Sequence, residues 1–131
     1  MIEGACHCGL VAWRFDGVPE RATACNCTLC RRYGTLWAYD FDGERIQVSG
    51  PTRAYSWGDR HIGFHFCENC GNLAYWRGIK PREDGRTRIA VNLRLTANPE
   101  QVFAVPVRHL DGLESWKDIP SDARTVKDMW F

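Results

Sequence analysis

The stretch His61-Ile62-Gly63-Phe64-His65-Phe66-Cys67-Glu68-Asn69-Cys70-Gly71 carries two signals in succession. Its first six residues alternate. Ile62, Phe64 and Phe66 stand on one face and His61, Gly63 and His65 on the other, the period of a half-buried strand. The strand runs straight into Cys67-x-x-Cys70-Gly71. Two thiols at this spacing, closed by a glycine that permits a tight turn, form a knuckle able to supply half of a tetrahedral metal site.

The same alternation recurs on both sides. Residues 10–15 set Val11, Trp13 and Phe15 on one face, and residues 35–41 offer Leu36, Trp37, Tyr39 and Phe41. Residues 45–48, 53–57 and 72–76 read as further short strands. Residues 88–95 alternate Ile89, Val91, Leu93 and Leu95 against Arg88, Ala90, Asn92 and Arg94, and residues 101–107 close the series. Helical signal is weak: one or two turns at 28–33, stopped by Gly34, and a short turn near 113–117. A polar hairpin loop is expected at 80–87. Strand after short strand predicts an all-β domain of small packed sheets with one or two short helical turns.

Seven cysteines fall in three groups: Cys6-His7-Cys8, Cys25-Asn26-Cys27-Thr28-Leu29-Cys30, and Cys67-Glu68-Asn69-Cys70. On a strand, Cys6 and Cys8 would point the same way and present their sulfurs together. Joined to Cys67 and Cys70 they make a four-thiolate zinc site, worth on the order of 10 kcal/mol of apparent folding free energy. Cys25, Cys27 and Cys30, passing from strand to helical turn, can aim three thiolates at a second zinc and leave its fourth position open. Spacing alone also allows Cys6, Cys8, Cys25 and Cys27 to share one metal, or a single structural zinc with the other thiols merely buried. A disulfide framework would leave one of seven thiols unpaired.

The 131 residues fit a single domain, with a core at about 2–116 and an irregular tail at about 117–131. Met129, Trp130 and Phe131 are apolar enough to seek burial or a partner. The formal charge of +1, from 17 basic and 16 acidic side chains, argues against a dedicated nucleic-acid binder. No apolar run reaches the about 18 residues of a membrane span, and the first residues lack a secretory pattern. With close-spaced thiols, this predicts a cytoplasmic protein that uses cysteine for metal.

Cys6-His7-Cys8-Gly9, Cys25-Asn26-Cys27-Thr28-Leu29-Cys30-Arg31-Arg32 and Phe66-Cys67-Glu68-Asn69-Cys70-Gly71 resemble, in order, the motifs of the glutathione-dependent formaldehyde-activating enzyme family, which shares a domain with the centromere protein V group. The resemblance spans about residues 2–116. It implies an Mss4-like fold of packed antiparallel sheets stapled by zinc. It implies a structural zinc on Cys6, Cys8, Cys67 and Cys70, and a second, catalytic zinc on Cys25, Cys27 and Cys30. It further implies glutathione as co-substrate, and a carbon–sulfur lyase activity that joins this small thiol to a small aldehyde, formaldehyde in the family's named reaction. Position 26 holds Asn where that resemblance leads one to expect a nearby histidine.

Around the second site, Arg31 and Arg32 are candidates to offset thiolate charge or to pair with glutathione carboxylates, against the alternative of solvated surface residues. Trp37 and Tyr39 are pocket walls or plain core, and Tyr55 and Trp57 carry the same choice. His61 and His65 are candidate general bases, as is His109 at a turn after the last strand. Asn92 and Arg94 are candidate substrate contacts. The alternative to an enzyme is a zinc-binding module for macromolecular partners, to which the apolar tail and the excess of 14 Arg over 3 Lys would be suited.

Overall fold

The computed structural model describes residues 1–130, and Phe131 lies outside them. The domain is built from eleven strands among these residues: β1 (Ile2–Ala5), β2 (Ala12–Phe15), β3 (Ala22–Cys25), β4 (Trp37–Phe41), β5 (Ile46–Ser49), β6 (Thr52–Tyr55), β7 (Ile62–Cys67), β8 (Leu73–Gly78), β9 (Arg88–Asn92), β10 (Val107–Leu110) and β11 (Asp118–Ile119). One α-helical turn, α1 (Cys30–Tyr33), interrupts them and ends at Gly34, whose φ of 64° is the left-handed conformation of a helix stop. No helix among the described residues is long and apolar enough to cross a membrane.

The strands form two sheets. A three-stranded antiparallel sheet has the order β1-β2-β5, and an eight-stranded sheet has the order β11-β10-β3-β4-β9-β8-β7-β6. All pairings are antiparallel except β10 on β3, where Leu110 lies opposite Cys25. This departs from an all-antiparallel expectation. The chain reaches β10 only after a long excursion from β3, so it is free to return in the same direction.

The small sheet packs on one face of the large one. Ile2, Trp13, Phe15 and Ile46 meet Ala38, Ile89 and Val91, all essentially inaccessible. Gly4 pairs with Trp13 across β1 and β2, and a Cβ at position 4 would collide with the indole. The opposite face of the large sheet is also covered. Trp37, Phe64, Trp76 and Ala90 build a second cluster there, packed under Cys27, Leu29 and Cys30. Of residues 88, 90 and 92, the polar side of the expected alternation, Ala90 and Asn92 are therefore buried and Arg88 alone is exposed, at the edge of the region of the three-cysteine segment. Each residue of the cluster has its place from cross-strand register: Tyr39 opposes Ala90, Ala90 opposes Trp76, and Trp76 opposes Phe64. Because Ala90 is small, the Tyr39 and Trp76 rings meet above it, their centroids 5.5 Å apart.

Several expectations are corrected. The strand β1 at Ile2–Ala5 lies outside the expected strands, whereas β3 ends at Cys25 as the strand-to-turn reading of the three-cysteine segment expects. Residues 93–95 are a 3-10 turn rather than the end of a strand, and so are Pro99–Val102. Proline at 99 favours the helical start and Pro106 supplies no donor, so the strand begins only at Val107. Residues 113–117 form turns, not a helix. The tail is not irregular throughout. It contains β11 and a 3-10 turn at Val126–Met129, with Val126 fully buried. Met129 and Trp130 pack on the core, and the Trp130 ring sits edge-on to Phe103 at 5.7 Å. The hairpin loop expected at 80–87 joins β8 to β9 as read from the sequence.

Candidate metal centres and their pocket

The seven thiols separate into two groups, Cys6, Cys8, Cys67 and Cys70 in one and Cys25, Cys27 and Cys30 in the other. Within each group every Sγ lies within 4.8 Å of the rest. The grouping that mixes Cys6 and Cys8 with Cys25 and Cys27 is not the one adopted.

The four-cysteine group is made by two turns that resemble each other. The first follows β1 and closes at Gly9 (φ 82°), and the second follows β7 and closes at Gly71 (φ 78°). Cys6 and Cys8 thus meet because the chain turns back at Gly9, not because both lie on a strand. Backbone N–H groups of Val11 and Asn69 donate to the sulfurs of Cys6 and Cys67, at 3.3 and 3.4 Å. The His7 N–H donates to Asn72 Oδ1 at 2.7 Å and so locks one turn on the other. The Cys6–Cys8 and Cys8–Cys67 sulfur separations are both 3.6 Å. A tetrahedron of thiolates about 2.3 Å from zinc has edges of about 3.8 Å. The donor set therefore fits zinc in number, type and spacing.

Cys25 ends β3, Cys27 follows in the turn, and Cys30 begins α1. Two N–H groups support this bend: Cys27 N–H donates to Cys25 Sγ at 3.4 Å, and Cys30 N–H to Cys27 Sγ at 3.3 Å. Trp37 adds a third donor, its indole N–H reaching Cys30 Sγ at 3.4 Å. The thiols are strongly interdependent. Hydrogen bonds from Cys25 and Cys30 drive the Cys27 pKa down to about 2, whereas the bonds to Cys25 and Cys27 drive Cys30 upward. One thiolate forms readily and its field opposes the next. A divalent cation relieves that opposition, and three clustered thiols fit such an ion with one position left over.

These three cysteines line a cavity of about 370 Å³. Its walls are mainly aromatic: Trp37, Tyr39, Trp57, Phe64, Trp76 and Trp116. Trp37 is 1% exposed, so the two readings of it, wall and core, both hold. Burial is the main reason the Tyr39 phenol is raised above its usual pKa, and it keeps its proton near neutrality. Arg88, Arg108 and Asp59 bring charge to the rim, Arg108 being held by Asp118 at 2.6 Å.

One side of this cavity is a loop fixed by hydrogen bonds. Asp111 Oδ1 accepts from Asn26 Nδ2 and from the N–H groups of Leu113 and Glu114, and Oδ2 accepts from the Ser115 N–H and hydroxyl. Asn26 Oδ1 in turn accepts the Leu113 N–H at 3.0 Å. The bonds from Ser115 are the main reason the Asp111 carboxyl falls to about 2. Gly112 rests against the cluster so closely that a Cβ would overlap Cys25 Sγ and come 3.0 Å from Cys27 Cβ. Trp116 stands at the loop's end, largely exposed, with φ 58°.

Of the other residues singled out in the sequence, Arg32 donates to the Thr28 carbonyl at 2.7 Å and lines a neighbouring groove with Tyr55 and Trp57. Arg31 is exposed and lines neither cavity. Among the described residues no histidine lines the cysteine cavity. His65 stacks on Tyr75 at 4.6 Å and shares a hydrogen bond with the Thr52 hydroxyl. His109 pairs with Asp122, and His61 with Asp59. Asn92 is buried and structural, bridging the Leu36 N–H and the Leu73 carbonyl, and Arg94 ties the carbonyls of Gly34 and Trp130. Sequence proximity does not reveal Arg88, Arg108 or Asp59, because strand register brings the two arginines to the thiols and the β6–β7 turn brings Asp59.

An all-β domain with one four-thiol and one three-thiol cluster, the latter opening on an aromatic cavity, defines a class of small cysteine-rich proteins suited to two zinc ions. The chain belongs to the glutathione-dependent formaldehyde-activating enzyme family, whose model matches residues 1–109. A crystal structure of a Rhodobacter sphaeroides protein is similar, with 26% identity and a TM-score of 0.60 over 80% of this chain and 98% of the other. No curated protein matches the sequence.

Proposed function

We propose that the chain is a carbon–sulfur lyase-type enzyme that activates a small thiol, glutathione in the reaction for which its family is named, for addition to a small aldehyde such as formaldehyde. The observation that carries this reading is the three-thiol cluster of Cys25, Cys27 and Cys30 at the floor of an aromatic cavity, one ligand short of a closed tetrahedral site. Zinc held by these thiolates would favour the ionised form of an incoming thiol.

The chemistry asked of the remaining residues is modest. The thiol S–H bond breaks, a sulfur–carbon bond forms at the aldehyde carbon, and the carbonyl π pair moves to oxygen, which takes up a proton. Trp37 donates to Cys30 Sγ and holds that sulfur in place. The aromatic walls keep bulk water from the reacting sulfur. On the cavity wall, the protonated Tyr39 hydroxyl and the Arg88 and Arg108 guanidinium groups are the donors available to the developing oxyanion. The thiol proton passes to solvent, and the oxyanion takes its proton from water or from Tyr39, which solvent then reprotonates.

The four-cysteine group ties the β1–β2 turn to the β7–β8 turn and has the role of a structural zinc site. The test compares Cys27→Ser with the native chain by exchange spectroscopy on formaldehyde and glutathione. Exchange above the spontaneous rate should vanish in the variant while circular dichroism and the first zinc are retained. Undiminished exchange in Cys27→Ser would overturn the proposal.

A further inference from the structure

The cysteine cavity does not end at its aromatic wall. A second depression of about 550 Å³ adjoins it and shares Asp59, Ile62, Trp76 and Arg88 with it. Around this depression stand Arg60, Lys80, Arg82 and Arg88, and none of the four has an ion-pair partner among the described residues. Elsewhere on this sheet Arg77 pairs with Asp42 and Arg108 with Asp118, while Arg53 on β6 likewise has no ion-pair partner among the described residues; what sets the depression apart is that it gathers four such cations around one concavity. The lone carboxylate of the depression, Asp59, accepts the His61 backbone N–H at 3.2 Å and lies 3.4 Å from the His61 ring. Arg88 is stacked over the Trp76 and Tyr39 rings, which fixes its charge at the junction of the two cavities. Arg60 holds a φ of 58°, a conformation that glycine adopts at lower cost, so its side chain occupies a position where backbone energetics alone would not favour it.

Four unpaired cations around one concavity repel one another and are stabilised by an anion between them. Resting on the thiol reading given above, we infer that this depression is the anion subsite of the cysteine cavity. The substrate would be an extended thiol. Its sulfur would reach Cys25, Cys27 and Cys30, and its far end, lying past Arg88, would carry a multiply charged oxyanion, either a phosphate or paired carboxylates. Lys80 and Arg82 on the β8–β9 loop, with Arg60 on the β6–β7 turn, grip that end. Selectivity among thiols is set here, one cavity away from the reacting sulfur.

The experiment uses the full chain loaded with cobalt(II) in place of zinc, because sulfur-to-cobalt absorption reports a thiol arriving at the cluster. Pantetheine and 4′-phosphopantetheine differ only in a phosphate, and glutathione and its dimethyl ester only in two carboxylate charges. The charged member of at least one pair should bind about tenfold more tightly, with the advantage shrinking as salt is raised. The pair with the larger ratio identifies the source of the oxyanion. In the Lys80→Glu/Arg82→Glu double variant, which alters only an exposed loop, that ratio should fall to near one. Ratios near one in the native chain, or a ratio that survives in the double variant, would overturn the subsite. A cobalt spectrum that no thiol moves, charged or neutral, is a different failure: the thiol reading itself then falls, and the subsite with it.

Discussion

Asn26 Nδ2 donates to Asp111 Oδ1 across 3.3 Å, and this bond joins the middle of the three-cysteine segment to the loop that walls its cavity. Residue 26 stands between two candidate ligands, and its amide serves to hold the loop. The Asp111 carboxyl sits at about 2, below its ordinary 3.8, chiefly through its bonds from Ser115. A lowered carboxylate pKa stabilises the fold above the ordinary value and is lost as pH falls through the folded one. The clamp is therefore intact at any pH above about 4 and is released only towards pH 2. Asp111→Ala removes it at neutral pH. Acrylamide should then quench Trp116 more strongly, and thiol affinity at the cluster should drop by about fivefold. Unchanged quenching would show that the loop holds its place without Asp111.

The two cysteine groups should respond differently to substitution. Cys67 is 1% exposed and its group connects turns 59 residues apart in sequence, as the Cys8–Cys67 contact shows. Cys67→Ser should remove one zinc and most of the stability supplied by that site, of the order of several kcal/mol, leaving a chain that unfolds well below the native Tm. Cys27→Ser should remove the other zinc and leave the Tm nearly unchanged, since β3 and β4 remain paired without it. Zinc per chain and thermal melts check both expectations, and equal destabilisation by the two variants would contradict the division of labour.

Cysteine spacing made the three thiol clusters legible in the sequence but left open which of them come together, and the alternation of Ile89 and Val91 made the central strand legible. Other elements were not legible, for physical reasons. β1 is only Ile2-Glu3-Gly4-Ala5, and its glycine exists to admit Trp13 from the neighbouring strand, a fact of pairing rather than of propensity. Val102, Val105 and Val107 gave a strand-like signal because all three are buried, yet the first belongs to a 3-10 turn opened by Pro99. The rim charges Arg88 and Arg108 lie far from the cysteines along the chain. They reach the cavity through the β4–β9 register and the parallel β10–β3 pairing, which no local pattern encodes. His61, His65 and His109 drew attention as the usual proton carriers, but each is engaged with its own neighbour away from the thiols.

Gly112 tests how closely the loop must approach the second centre. Its φ is ordinary, so alanine there is not strained by the backbone, but the added Cβ would overlap Cys25 Sγ. Gly112→Ala should therefore displace either the loop or that sulfur. The expected result is an affinity for the second zinc about tenfold weaker or worse, with the four-cysteine zinc undisturbed. Competition with a chromophoric chelator resolves the two ions. A second zinc released no more readily than in the native chain would mean that the loop yields freely.

Ala90 tests the packing beneath the aromatic wall of the cavity. It is fully buried, and its methyl leaves the space in which the Tyr39 and Trp76 rings meet at 5.5 Å. Leucine at this position inserts three carbons under both rings. Tyr39 and Trp76 are cross-strand neighbours of residue 90 on β4 and β8, so neither can retreat without breaking register. Ala90→Leu should cost about 1–3 kcal/mol of stability through overpacking. It should also push both rings outward into the cavity, lowering thiol affinity while leaving both zinc ions bound. Near-UV circular dichroism should lose intensity, because the tilted aromatic contact that generates it is broken. A variant with native near-UV signal and native thiol affinity would mean that the rings pack against something other than the space above Ala90.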